Sequence, residues 1–258
     1  RFTKIESKKF EKEFDVVSVL NLHEIEIEER LFSWNLDVLI EIGWSHKIPK
    51  SILRAPKLGT VGIHNSLLPA FQGGASLNWA LIKDFTSWGC TLFHLEENID
   101  AGEIIFQETF EITDEDDINS LFLKSDSLSI EMINRFLPLA CDNSAPRVKQ
   151  NPEKISKTAK RSPEDSKIEW SLDNRSIFNL VRALKRPYPN AFSFFAKKKV
   201  LINGAKIVDG EKAIAGTVTD ILSSGIVVGT GSGSILISDI RYDDGSSVKL
   251  QIGDCFDV

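Results

Sequence analysis

Five short apolar runs, bounded by Gly, Pro or charged residues and separated by stretches of helical periodicity, organise the chain from Phe14 to about Leu139. They are FDVVSVL (Phe14–Leu20), DVLIEIG (Asp37–Gly43), TVGIH (Thr60–His64), CTLFHL (Cys90–Leu95) and EIIFQETF (Glu103–Phe110). Helical periods are predicted over His23–Phe32, Ala75–Lys83 and Asp117–Leu137, the last with Thr113 or Asp114 near its start. Apolar runs that alternate with helices predict an α/β fold on a Rossmann-like, parallel-rich sheet. No apolar run reaches the roughly 18–20 residues that a helix needs to span a bilayer, so no membrane partner is expected.

Residues 141–167 are polar, basic and punctuated by Pro, without sustained periodicity, and read as a linker. Beyond it, Asp173 or Asn174 is placed to cap a helix in which Ile177, Leu180, Val181 and Leu184 share one face, and Pro187 stops it. Six short β runs follow (AFSFFA, KVLING, GTVTDIL, GIVVG, SILISDI and VKLQI), with turn residues about every 8–12 positions. That spacing predicts a small barrel or sandwich, OB-like in scale. GTGSGS (Gly229–Ser234) lies between two β runs with no helix after it, which favours a hairpin over a phosphate loop. The expected division is 1–140, 141–170 and 171–258.

The net charge of −6 is uneven: residues 1–150 carry 15 Lys and Arg against 24 Asp and Glu, and residues 151–258 carry 16 against 13. Neither half has the strongly basic balance of a polyanion binder, although two or three Arg or Lys suffice for a small anion. The three Cys (Cys90, Cys141, Cys255) make neither a zinc spacing nor a disulfide framework, which suits a reducing cytoplasm and predicts no metal. No charged-then-apolar leader precedes Arg1, and the chain does not begin with Met.

The densest chemical signal is GTVGIHNSLLPAFQGGASLNWALI (Gly59–Ile82). In TVGIH the period of two puts Val61 and Ile63 on one face and Gly62 and His64 on the other. His64 is the last strand residue before a loop that Pro69 and Gly73–Gly74 hold open, and ligands of open α/β sheets bind beyond the carboxyl ends of strands. His64 has the position of a catalytic base or electrophile; a hydrogen-bonded structural role is the alternative. In TLFHLEENIDAGEII (Thr91–Ile105), Asp100 is either a turn residue bonded to its own backbone or the carboxylate that orients His64. His23, His46 and His94 have no carboxylate at a telling spacing.

HNSLLPAFQGGASLNWALI, followed by WGCTLFHLEENIDAGEII, resembles the core signature of the folate-dependent formyltransferases. DVLIEIGWSHKIPKSILRAPKLG is similar to the family's strand and pterin-side loop, and RSPEDSKIEW with NLVRALKRPYPNAF resembles the start of its C-terminal portion. The resemblance spans most of residues 14–195. It implies a catalytic domain in 1–140, a linker over 141–170, and a helix with a small β-barrel domain in 171–258. It also implies 10-formyltetrahydrofolate as co-substrate, transfer of the formyl group to an amine, and His64 and Asp100 as catalytic residues. Trp44, Ile48, Glu97 and Ile99 are the corresponding cofactor candidates, with core packing the alternative for Trp44 and Ile48.

Two departures stand out. Family members carry an Asn two residues before the His, and here that position is Gly62. Losing one oxyanion donor costs on the order of 10²–10³ in rate. A water, a substrate group or a side chain such as Asn78 takes its place, or the protein is a catalytically weakened folate-binding homologue. Asn65 is aimed at the other face. The family's first strand–helix unit, with its Gly turn, has no match before FDVVSVL.

Within the family the motifs read closest to the nucleotide-sugar N-formyltransferases. The tRNA enzymes imply an Arg before the Gly of the loop after SLLP, and this chain has Gln72–Gly73–Gly74. The expected acceptor is a UDP- or dTDP-linked deoxy amino sugar for a bacterial surface glycan such as an O-antigen, with methionyl-tRNA as the alternative. Gly73, Gly74, Asn78, Arg182 and Tyr188 are the candidate substrate contacts. Arg182, with Lys185 and Arg186, would meet the diphosphate and Tyr188 would stack on the base; a solvated helix face is the alternative for the basic residues. The resemblance also implies a homodimer.

Overall fold

The computed structural model describes residues 13–17, 19, 22, 25–44, 46–210 and 213–257. The chain forms two compact units. One runs up to Gly73 and takes in Gly89–Thr109 and Asp126–Lys157; the other comprises Gly74–Trp88, Phe110–Ser125 and Thr158 onward.

The first unit is built on a sheet of order β1-β2-β3-β4, from β1 (Leu39–Glu41), β2 (Thr60–His64), β3 (Ser87–His94) and β4 (Ile104–Glu111). β1 and β2 run parallel in the register Leu39↔Thr60, Ile40↔Val61, Glu41↔Gly62. β2 and β3 run antiparallel, with His64 opposite Thr91. Helices α1 (Ile25–Ser33) and α2 (Lys50–Arg54) flank β1 in sequence. α4 (Ile118–Cys141) contributes Met132, Phe136 and Ala140 to a core that also holds Val61, Cys90, Leu92 and Ile105, with Ile63 packed against it. Val61 and Ile63 thus face the core, as the period of two requires, and Gly62 and His64 leave the opposite face.

The second unit carries α3 (Ser76–Ile82), α5 (Asn174–Ala183) and a sheet of order β5-β6-β9-β8-β7. Its strands are β5 (Ala191–Phe195), β6 (Lys198–Val208), β7 (Val218–Leu222), β8 (Gly225–Gly229) and β9 (Ser234–Tyr242). All its pairings are antiparallel, with a bulge in β6 at Gly204. Asp173 caps α5, accepting from Ser176 N–H at 2.7 Å. Trp170 is buried against Phe256 at 4.9 Å between ring centroids and donates its indole N–H to Ser193 Oγ at 2.9 Å.

Several expectations need correction. FDVVSVL forms no strand among its described residues, with Phe14 62% exposed; Ser18 and Leu20 lie outside the described residues, as does His23. A strand exists only through its ladder, and no described segment pairs with the free edge of β1. The expected barrel does not close strand to strand. Instead residues 253–257 bridge its ends: Asp257 pairs with Phe194 on β5, and Cys255 pairs with Thr217 beside β7. VKLQI is irregular: the Arg241↔Ser247 bridge lies just before it, and Gln251 N–H donates to Asp254 Oδ2 at 2.7 Å. The Gly229–Ser234 segment is a hairpin turn, closed by Thr230 N–H to Gly233 O at 3.0 Å.

The linker over 141–167 is likewise held in place within each unit. In the first, Val148 bridges Ile104 and Lys157 bridges Gln72. In the second, Asp165 accepts from Ser162 N–H across a 3-10 turn. Its polar, aperiodic composition goes with two short 3-10 turns and isolated bridges in place of long helices and strands, not with an absence of order. α4 starts where expected, capped by Asp117, whose carboxylate accepts from Asn119 and Ser120 N–H at 2.8 and 3.2 Å, and it runs on past Leu137 to Cys141.

Candidate active site

β2 delivers His64 to the end of the first sheet, and the loop beyond it is shaped by buried hydroxyls and amides. Thr91 Oγ1 donates to Ser66 O at 2.6 Å and accepts from Leu68 N–H at 3.1 Å. Gln107 donates to Leu68 O at 2.8 Å and to Thr91 Oγ1 at 2.9 Å, and Ser66 Oγ donates to Ala70 O at 2.6 Å. The chain turns at Phe71 and Gly73, whose φ values of 57° and 105° both lie in the left-handed region.

His64 Nε2 lies 2.9 Å from Phe71 O. A carbonyl only accepts, so Nε2 carries the proton and Nδ1 holds the lone pair. Nδ1 stands 3.7 Å from Asp100 Oδ2, too long for a hydrogen bond and within reach of an ion pair once Nδ1 is protonated. The two side chains are 11% and 14% exposed, which leaves them reachable while removing most of the screening water.

Asp100 is held by its surroundings. Its Oδ2 accepts from Gly73 N–H at 2.8 Å, its backbone O accepts from Gln72 Nε2 at 3.0 Å and Gln150 Nε2 at 2.8 Å, and its φ is 55°. Asp tolerates that conformation better than most residues because its short polar side chain bonds locally. The tight corner also requires glycine at 102, where a Cβ would lie 1.7 Å from His94 O.

Glu41 ends β1 beside Gly62. It accepts from Trp44 N–H, and a Cβ on Gly62 would lie 3.0 Å from its Oε2. Burial raises its pKa and the negative charge of Asp100 adds to the rise, against the Trp44 hydrogen bond. Trp44 follows, half-buried, with its Nε1 enclosed and without a partner, and Ile48 is half-buried too. Glu97 and Ile99 are different. Glu97 is half-exposed and paired with Lys50 at 2.5 Å and Arg54 at 3.4 Å, and Ile99 is 69% exposed.

In the second unit Asn78 is buried, donates Nδ2 to Ala183 O at 2.7 Å and leaves its Oδ1 without a well-formed hydrogen bond. Tyr188, half-buried against Asn78 and Arg161, lies parallel to Phe122 at 6.5 Å between centroids, and burial raises its pKa. Gly74 is open, with nothing near its Cβ position. Arg182 is 4% exposed and donates to Thr113 O at 2.6 Å, Asp116 O at 3.2 Å and Asn179 Oδ1 at 2.9 Å, so its guanidinium serves internal carbonyls. Lys185 pairs with Asp117 at 3.0 Å, and Arg186 is exposed.

Sequence reasoning missed Glu41 and Gln150. A lone carboxylate inside the apolar run DVLIEIG was the available signal for Glu41. Nothing local marks Gln150, whose role arises from a contact 50 residues away in sequence. His94 is excluded as a base: burial and the neighbouring Arg147 charge lower its pKa to about 4, and its Nε2 accepts from Arg147 at 3.1 Å. Among the described residues no cluster of His, Cys, Asp or Glu is arranged to hold a metal, and no helix is long and apolar enough to cross a membrane.

Comparison with known proteins follows the same lines. The formyl transferase family model matches residues 3–135, and that of the formyl transferase C-terminal domain matches 160–251. A methionyl-tRNA formyltransferase of Staphylococcus epidermidis (strain ATCC 12228 / FDA PCI 1200) is 30% identical over 214 residues, covering 83% of this chain and 69% of that protein. HypX from Aquifex aeolicus in complex with tetrahydrofolic acid superposes with TM-score 0.71 at 22% identity, over 85% of this chain but only 38% of HypX. The N-formyltransferase from Helicobacter canadensis, in complex with folinic acid and dTDP-3-aminofucose, gives TM-score 0.61 at 20% identity, over 77% of this chain and 72% of that one. A chain that brings Asp100, from the loop between β3 and β4, against His64 at the end of β2, and that both formyl transferase domains match over most of its length, belongs to the formyl transferase family.

Proposed function

We propose that the protein transfers a formyl group from 10-formyltetrahydrofolate to the amino group of a nucleotide-linked deoxy amino sugar. The observation that carries the transfer chemistry is the His64 pair: Nε2 committed to Phe71 O, Nδ1 free and facing Asp100. His64 Nδ1 takes the proton that the acceptor amine loses as its nitrogen bonds the formyl carbon, and returns it to the folate nitrogen that leaves. Asp100 offsets the positive charge His64 carries between those two events. The enclosed, unpartnered Nε1 of Trp44 is a donor awaiting an acceptor, which fits Trp44 and Ile48 as the pterin-side wall. The folate supplies the activated formyl carbon.

For the acceptor, the sugar reading is supported by the neutral loop. Gln72 stands where a tRNA-directed chain is expected to place Arg, and its amide is engaged with Asp100 O and Gln150 Oε1. The net charge of −6 supports it too. Methionyl-tRNA is the second reading, favoured by the names of relatives such as the Staphylococcus epidermidis protein. Incubation with 10-formyltetrahydrofolate and a panel of UDP- and dTDP-linked amino sugars, alongside methionyl-tRNA, decides between them by mass spectrometry. A gain of one formyl group on a sugar is expected. Product on the tRNA alone, with affinity falling steeply with salt, overturns the sugar reading.

A further inference from the structure

The formyl oxygen gains negative charge when the amine attacks, and a site that speeds this step places a hydrogen-bond donor against it. The face of β2 that carries His64 offers few. His64 Nε2–H is held by Phe71 O, and Nδ1 carries a lone pair. Of the other two residues on that face, Gly62 has no side chain, and Thr60 is buried with its Oγ1 donating to Leu53 O at 3.0 Å. Asn65 lies beyond the end of β2, and Asn78 Nδ2 is bound to Ala183 O.

The space beside Gly62 is nonetheless filled. β1 and β2 are parallel with Glu41 in register with Gly62, so both residues project from the same face. The Glu41 carboxyl lies over the glycine, its Oε2 3.0 Å from where a Cβ would stand. Trp44 N–H holds Oε1, which orients the group and leaves Oε2 toward Gly62. Among the described residues no Lys or Arg forms an ion pair with Glu41.

We propose that the Glu41 carboxyl, seated in the space left by the missing side chain of Gly62, is the hydrogen-bond donor to the oxyanion of formyl transfer. The proposal rests on the formyl-transfer reading above. Glu41 acts as a neutral acid that keeps its proton, while the amine proton moves by way of His64. Burial and the adjacent Asp100 charge both favour that neutral form, against the single hydrogen bond from Trp44. The assignment also explains the glycine: an Asn at 62 and a glutamic acid at 41 compete for one volume, with the Leu95 methyls at 3.0 and 3.3 Å closing the other side.

The test has a kinetic arm and a spectroscopic arm. E41A is expected to lower kcat by about 10²–10³ with little change in KM for the folate, the loss typical of one oxyanion donor. E41Q keeps an N–H donor of the same shape and is expected to stay within about tenfold of the parent. E41A/G62N, which returns an amide to the emptied space, is expected to recover at least about tenfold over E41A. Unchanged kcat in E41A, or E41Q as slow as E41A, overturns the proposal; the second result would make the carboxylate a base. The infrared difference spectrum of the parent against E41Q at neutral pH reads the protonation state without any acceptor. A protonated-carboxyl band that disappears in E41Q is expected, and an ionised carboxylate overturns the proposal. If the parent formylates none of the offered amines, the acceptor reading fails while the spectrum still decides Glu41.

Discussion

The Nε2 atom of His64 lies 2.9 Å from the carbonyl oxygen of Phe71, and that contact decides which ring nitrogen is basic. The Phe71 carbonyl is in turn set by a left-handed turn and by Ser156 Oγ, which accepts from Phe71 N–H at 2.9 Å. The base is therefore aimed by the backbone of the loop and not by a second side chain, while Asp100 faces the nitrogen that gains charge.

Two substitutions test this division. H64N removes the nitrogen that moves the proton, and D100N keeps the shape of the partner while removing its charge. Each is expected to lower kcat by at least about 10², with folate affinity retained. Near-parental turnover in both, measured by formyl loss from the donor, would take the pair out of the mechanism.

Gln150 holds Asp100 from behind, donating to Asp100 O and Gly102 O at 2.8 Å each. Q150A leaves both carbonyls short of that donor and frees the turn. A loss of roughly 1–3 kcal/mol in urea unfolding is expected, together with a fall in kcat larger than the change in KM. Unaltered kcat and stability in Q150A would show that the turn holds itself.

His94 gives the stability a predictable acid limb. Its pKa is about 4 in the folded chain against 6.5 in an unfolded one, because burial and the Arg147 charge disfavour its protonation. The unfolded chain binds the extra proton first, so stability is lost as pH falls from about 6.5 toward 4, by about 3 kcal/mol at most. Urea midpoints measured across that range should fall in the parent and flatten in H94Q; parallel curves would assign the acid limb to other groups.

Arg182 was expected to meet a diphosphate, but it is 4% exposed and bonded to two carbonyls and Asn179. R182A should destabilise the second unit by about 3–5 kcal/mol, because it strips charge-assisted bonds from buried partners. R182K should recover only part of that loss, since one ammonium cannot span the three acceptors. Equilibrium denaturation of both variants checks it. A stable R182A with a raised nucleotide-sugar KM would restore the original expectation.

Tyr188 remains the aromatic candidate for the nucleoside. Y188A is expected to raise the nucleotide-sugar KM several-fold through lost stacking, with folate affinity constant, and Y188F should behave as the parent. An unchanged KM in Y188A, read in the formylation assay, removes it from the acceptor site.

What could be read from the chain alone was whatever depends on neighbours in sequence. The period of two in TVGIH put Val61 and Ile63 in the core and His64 on the free face, and both hold. Asp173 capped its helix, and the Gly229–Ser234 segment turned a hairpin. Those outcomes follow from local backbone geometry, which a few consecutive residues set. The tertiary structure decided what depends on pairing. VKLQI and the described residues of FDVVSVL had strand composition but found no ladder, and a strand has no stability outside one. Gln150 looked like linker and became the support of Asp100. Gly62 read as a missing donor, yet the parallel register of β1 with β2 brings Glu41 into the same space from 21 positions earlier. Register is a property of two segments at once, so no inspection of either strand by itself could have shown that one residue's absent side chain is filled by the other's carboxyl.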